Sequence, residues 1–143
     1  MNMKDERQFV GYSKYRSRLV DGHVHTELCP HGSGDRTALM IEKAIELRIE
    51  KVCLTEHAPL PKAFAAEYGG DQKAYDTASL KLNQVDTYLE LGRQLQRAYG
   101  THIDISLGFE VDYIPGFEAD IQEFLNRYGP LTDDNILSVH FME

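Results

Sequence analysis

Four short runs of β-compatible apolar residues recur along the chain, with stretches of helical periodicity between them, and this alternation restricts it to a fold of successive strand–helix units. The clearest run, His102-Ile103-Asp104-Ile105-Ser106-Leu107-Gly108-Phe109-Glu110, alternates strictly and sets Ile103, Ile105, Leu107 and Phe109 on one side. The other runs are residues 19–25, 51–57 and 135–140. The periodicity predicts a first helix from an Asp35 N-cap to about Arg48, with Ala38, Ile41, Ala44, Ile45 and Leu47 buried. A second runs from about Asp76 to Tyr99, with Val85, Tyr88, Leu89, Gly92, Leu95 and Tyr99 recurring at three and four and Gly100 as its stop. The third spans 117–128, with Ile121, Phe124, Leu125 and Tyr128 inward, and Gly129-Pro130 ends it. Strands alternating with helices imply an α/β fold of parallel βαβ units. Residues 62–75, which include Gly69-Gly70, form too long a connection to be ordinary and are expected to act as a lid or substrate loop. Residues 1–18 are polar without a clean period and read as a leader over the domain surface.

The strand ends carry the chemistry. In order they supply His23 and His25, then His57, then Glu110 with Asp112, then His140. Parallel units gather their strand C-termini at one face, so these residues should converge. On a strand, the imidazoles of His-x-His point the same way, with Cα atoms ~6.5 Å apart at about 3.3 Å of rise per residue. One such pair is compatible with an ordinary core; a metal-capable residue at every strand end decides for a metal site. His31, in Cys29-Pro30-His31-Gly32 beside the site, is expected to join it. Imidazole and carboxylate without thiolate suit Zn, Mn or Fe. Such ions acidify water and stabilise charge on a transferring group, which makes hydrolysis the natural chemistry. Glu110 could bridge two ions, while Asp112 shares its face and is placed to contact substrate. Asp21 is expected to orient a ligand histidine. Cys29 and Cys53 read as small apolar fillers, His102 as structural or exposed at the opposite end, and Glu56 and Glu118 as solvated loop charges.

A net charge of -8 and a pI near 5.2 argue against nucleic acid or an anionic membrane surface as partner. The 143 residues, 42% hydrophobic, suffice for one domain with a real core. Neither a signal-peptide core nor a run of ~18 apolar residues is present, and the two cysteines form no framework, so a soluble, cytoplasmic protein is expected.

At Asp21-Gly22-His23-Val24-His25-Thr26, Leu54-Thr55-Glu56-His57, Gly108-Phe109-Glu110-Val111-Asp112 and Ser138-Val139-His140, the sequence resembles the PHP (polymerase and histidinol phosphatase) superfamily. The spelling around Cys29-Pro30-His31-Gly32, Thr55-Glu56-His57-Ala58-Pro59-Leu60-Pro61 and Glu110-Val111-Asp112-Tyr113 is similar to its monofunctional histidinol-phosphate phosphatase branch. The resemblance implies a distorted barrel of seven strands and helices with up to three divalent ions at the strand C-termini. It also implies hydrolysis of a small phosphate monoester, L-histidinol phosphate, to L-histidinol and phosphate in histidine biosynthesis. By motif position His23, His25 and Glu110 would hold one ion, Glu110 would bridge to a second on His140, and His31 and His57 would hold the third. The family pattern continues with a further histidine and an Asp-x-His motif, so residues 19–143 are expected to be the N-terminal half of the barrel. Its open edges would then favour self-association. Two alternatives stay open: another PHP phosphoesterase acting on nucleotides, or an inactive metal-binding fragment.

Overall fold

A computed structural model describes residues 18–67 and 76–141; the expected leader, Arg18 excepted, and the Gly69-Gly70 part of the expected lid lie outside these residues. The chain runs β1 (Val20–Val24), α1 (Thr37–Glu46), β2 (Lys51–His57), α2 (Lys62–Glu67), α3 (Val85–Tyr99), β3 (Asp104–Asp112), α4 (Glu118–Tyr128) and β4 (Ile136–Ser138). All pairings are parallel, in the order β1-β2-β3-β4. The parallel units are those the strand–helix alternation predicts, and with its helices the sheet forms a curled half-barrel, as the family resemblance implies. Strand β2 is buried from Val52 to His57 and β3 from Ile105 to Asp112, the pattern of strands covered on both faces. Leu54, Leu107, Val85 and Tyr88 are completely buried where α3 crosses the sheet. Gly92 permits that crossing, because a Cβ there would stand 2.3 Å from Leu107 Cδ1.

Two helix boundaries differ from the sequence reading, for reasons that lie in tertiary contacts. Asp35 does not cap α1: the Ser33 hydroxyl donates to its carboxylate at 2.9 Å. The first N–H of α1, on Thr37, instead donates to Glu27 Oε2 at 2.6 Å, and the Glu27 N–H donates back to Thr37 Oγ1 at 3.1 Å. This exchange closes the loop that bears His31. Leu47 follows the last helical residue and is exposed, while Ile41 and Ala44 are buried as expected. The long helix starts at Val85, not Asp76. Leu80 N–H donates to the His57 carbonyl at 3.3 Å and Ser79 Oγ accepts from Leu60 N–H at 3.3 Å, so this segment docks on the end of β2. Lys81 is extended, and a 3-10 turn, Leu82–Gln84, leads into α3.

Tyr88 ties the sheet together from α3. Its hydroxyl reaches the carbonyls of Leu54 at 3.0 Å and Gly108 at 2.5 Å and accepts from the Glu56 N–H at 3.3 Å. Burial raises its pKa, so it stays protonated. Tyr88→Phe removes the one proton shared between the Leu54 and Gly108 carbonyls and the acceptor of the Glu56 N–H without adding volume, and is expected to lower unfolding free energy by about 1–3 kcal/mol, read by urea denaturation.

Strand β4 is short, but its approach is held firmly. Asp133 Oδ2 accepts from Leu107 N–H at 3.0 Å and from Gln96 Nε2 at 2.7 Å, and Asn135 Oδ1 accepts from Phe109 N–H at 2.9 Å. Side chains thus occupy β3's hydrogen-bonding edge before the ladder begins. Among the described residues, β1 and β4 each pair on one side only. Leu19, Val20, Leu137 and Val139 are exposed beside those free edges. No helix among the described residues is long and apolar enough to cross a membrane.

Candidate metal centre

Parallel pairing brings the four strand ends to one side of the sheet, with Glu110 in register with His57. In β1 the register slips between Asp21 and Val24, so three steps along β1 match two along β2. This irregularity lies beside His23 and His25, which both reach the centre. His23 Nε2 is 2.8 Å from Glu110 Oε2, and His25 Nε2 is 3.1 Å from His23 Nε2 and 3.4 Å from the same carboxylate oxygen. His57 Nδ1 is 3.2 Å from Glu110 Oε2, and His140 Nε2 is 3.4 Å from Oε1. One buried carboxylate therefore touches four imidazoles. His31 completes the ring of side chains, its centroid 5.0 Å from that of His57 and 6.2 Å from that of His25. Its Nδ1–H donates to the Thr77 carbonyl at 2.8 Å.

The electrostatics follow from this packing. Burial pushes the Glu110 carboxyl upward, but the His23 hydrogen bond and the fields of His57, His23 and His140 outweigh it and hold the group below the usual carboxylate range. Burial likewise opposes ionisation of Glu56, and the hydrogen bonds from His25 and Thr26 overcome it. The hydrogen bond to Glu56 raises His25 against the effect of burial. Burial lowers His57, with Glu110 acting in the opposite sense.

The six residues expected to bind metal, His23, His25, His31, His57, Glu110 and His140, are thus gathered at one place. Asp112 is buried there too, but it faces His140 Nδ1 at 2.6 Å and accepts from the Ser138 hydroxyl at 3.1 Å. The Asp21 side chain is exposed and makes no hydrogen bond to the described residues, so it does not take the orienting role expected of it. His102 is exposed at the N-terminal end of β3, at the opposite end of the sheet. Glu118 is a surface charge as expected, accepting from the Tyr113 hydroxyl at 3.1 Å and Gly116 N–H at 3.2 Å. Cys53 and Cys29 are buried free thiols, and burial raises both. Glu56 is the residue misread from sequence: it is completely buried within β2. Expected among the solvated loop charges, it instead lies inside β2, which is buried on both faces from Val52 to His57.

The arrangement fits a divalent cation. His57 Nδ1 is buried without a hydrogen-bond partner, because its contact with Glu110 lacks hydrogen-bond geometry. His23 and His25 approach each other through nitrogen atoms, and neutral rings could share only one proton there. Ligand atoms of His23, His25 and Glu110, and separately those of His57, Asp112 and His140, lie within 4.8 Å of one another.

Residues 21–143 match the family described as the PHP domain. The chain belongs to the PHP domain family. Within it, the chain is 43% identical over 122 residues to the histidinol-phosphatase of Bacillus subtilis (strain 168), covering 85% of this chain and 44% of that protein. Crystallographic hisK from Listeria monocytogenes superimposes with a TM-score of 0.84 at 44% identity, over 87% of this chain and 46% of that one. The histidinol phosphate phosphatase of Lactococcus lactis, solved with Zn, L-histidinol and phosphate, shares the fold at a TM-score of 0.66 and 24% identity, over 87% of this chain and 41% of that one. This PHP chain spans less than half the length of the relatives it matches.

Proposed function

We propose that this PHP domain takes part in the metal-dependent hydrolysis of L-histidinol phosphate to L-histidinol and phosphate. The observation that carries the reading is the convergence of four imidazoles on one buried carboxylate, with His31 beside them, in a chain 43% identical to a histidinol-phosphatase. His23, His25, Glu110 and His140 would hold divalent ions, with His31 and His57 as further ligands, and the ions would supply Lewis acidity to the site. The donor set suits Zn, Mn or Fe, and the Lactococcus lactis structure supports Zn. Bound divalent ions offset negative charge on a phosphoryl group and make water acidic enough to attack it. In the net reaction a water oxygen bonds to phosphorus, the ester P–O bond breaks, and the departing alkoxide gains a proton. Asp112 holds His140 through Nδ1, which leaves its Nε2 directed at Glu110. No Lys or Arg side chain is bonded to these site residues among those described, so charge recognition of the phosphate falls to the ions. Free, buried thiols are in keeping with a reducing, cytoplasmic setting.

The test is phosphate release by the purified chain, with metal content measured on the same sample. Release from histidinol phosphate, lost on chelation and restored by Zn or Mn, is expected. Preferential release from nucleoside monophosphates would move the assignment to another PHP phosphoesterase. Stoichiometric metal without release from either would overturn the phosphatase reading for this chain.

A further inference from the structure

Glu56 lies beneath His25, and each of its carboxylate oxygens faces two donors. Oε2 accepts from the Thr26 N–H at 2.8 Å and the Thr26 hydroxyl at 2.7 Å. Oε1 accepts from the His57 N–H at 3.1 Å and faces His25 Nδ1 at 3.1 Å. An ionised carboxylate has about four lone-pair positions, and protein groups fill all of them. His25, Cys29 and Glu56 lie close enough together to suggest an ion of their own, yet this carboxylate has no position left to offer one. Because it can only accept, the nitrogen facing it carries a proton. Neutral His25 is then the Nδ1–H tautomer, and its bare Nε2 points toward His23 and Glu110.

We propose that Glu56 is a positioning residue that locks the ring and tautomer of His25 so that Nε2 is presented to the metal centre. The proposal rests on the metal-centre reading above. Its mechanical basis is the Thr26 clamp: the backbone and hydroxyl of the residue next to His25 grip one oxygen of Glu56 while the other oxygen grips the ring. The loop leaving β1 and the end of β2 therefore fix the imidazole together. A carboxylate behind a ligand histidine also raises its basicity, and losing such a partner weakens metal binding roughly 10–100-fold.

Heteronuclear NMR of the metal-free chain at mildly alkaline pH reads the tautomer directly. His25 protonated at Nδ1 is expected; His25 protonated at Nε2 would overturn the proposal without any variant being made. Zinc affinity is then compared among the native chain, His25→Ala, Glu56→Gln and Glu56→Asp. Glu56→Gln keeps the shape but faces donors with an amide, and Glu56→Asp keeps the charge but withdraws it from the ring. Both are expected to bind zinc roughly 10–100-fold more weakly, and Glu56→Gln to show mixed His25 tautomers. Should Glu56→Gln not fold, Glu56→Asp and the native tautomer still decide. If His25→Ala weakens zinc binding but both Glu56 variants bind as tightly as the native chain, the positioning role is wrong and the metal reading stands. If His25→Ala itself leaves zinc binding unchanged, the metal reading fails and takes this proposal with it.

Discussion

Glu110→Gln should leave a folded protein that no longer retains its metal. Glu110 is 2% exposed and is the one carboxylate in contact with His23, His25, His57 and His140 together. Gln preserves volume, so β3 and the core beneath it should survive. What disappears is the negative charge at the one place where four imidazoles meet, while Asp112 and Glu56, each beside a single imidazole of the four, keep theirs. Loss of a partner behind a metal ligand already costs roughly 10–100-fold in affinity, so removing the proposed central ligand should cost at least about 100-fold, and the proposed hydrolysis should fall with it. Metal content after desalting, with circular dichroism as the check on folding, reads the result. Glu118→Gln, which alters an exposed carboxylate on α4, is the control and should change neither. Full metal retention by Glu110→Gln would remove Glu110 from the ligand set.

Gly108→Ala should do the opposite, harming the fold first and the site as a consequence. A Cβ at Gly108 would stand 1.4 Å from the Asp134 carbonyl oxygen and 3.4 Å from Asn135 N. Backbone, not a flexible side-chain tip, occupies the space, so β3 and the approach to β4 have to separate. Overpacking a core ordinarily costs about 1–3 kcal/mol, and a backbone clash of this depth should cost about 3 kcal/mol or more. Hydrogen exchange should rise first along residues 133–140, because Asp133 and Asn135 lose their hold on Leu107 and Phe109. His140 then leaves the centre. An unchanged melting temperature would show that β4 can approach β3 differently from what the structure shows.

Much of this was legible in the sequence because parallel strands report their chemistry at their ends. His57, Glu110 and His140 are far apart in the chain, but each follows an apolar run, and the topology does the rest. The β2 boundaries were readable because an apolar middle sits between Arg48 and Pro59. What sequence could not show was whatever a distant partner decides. Glu27 reaches Thr37 and displaces Asp35 from the cap of α1. His57 and Leu60 hold residues 79–80 and keep α3 from starting early. Thr26 makes a buried Glu56 tolerable, and nothing at Glu56 itself announces that Thr26 will be there. Periodicity assigned Asp21 to the histidine face, but the register slip in β1 intervenes between it and Val24.

The His31–Thr77 hydrogen bond joins the loop after β1 to the helical residues 76–78, 46 residues along the chain. If His31 holds an ion as proposed, that bond makes the two events thermodynamically reciprocal: docking of residues 76–78 strengthens the ion's hold, and the ion strengthens docking by the same free energy. Zinc binding would then read out remotely, as added hydrogen-exchange protection at residues 76–78, where the His31 bond ends.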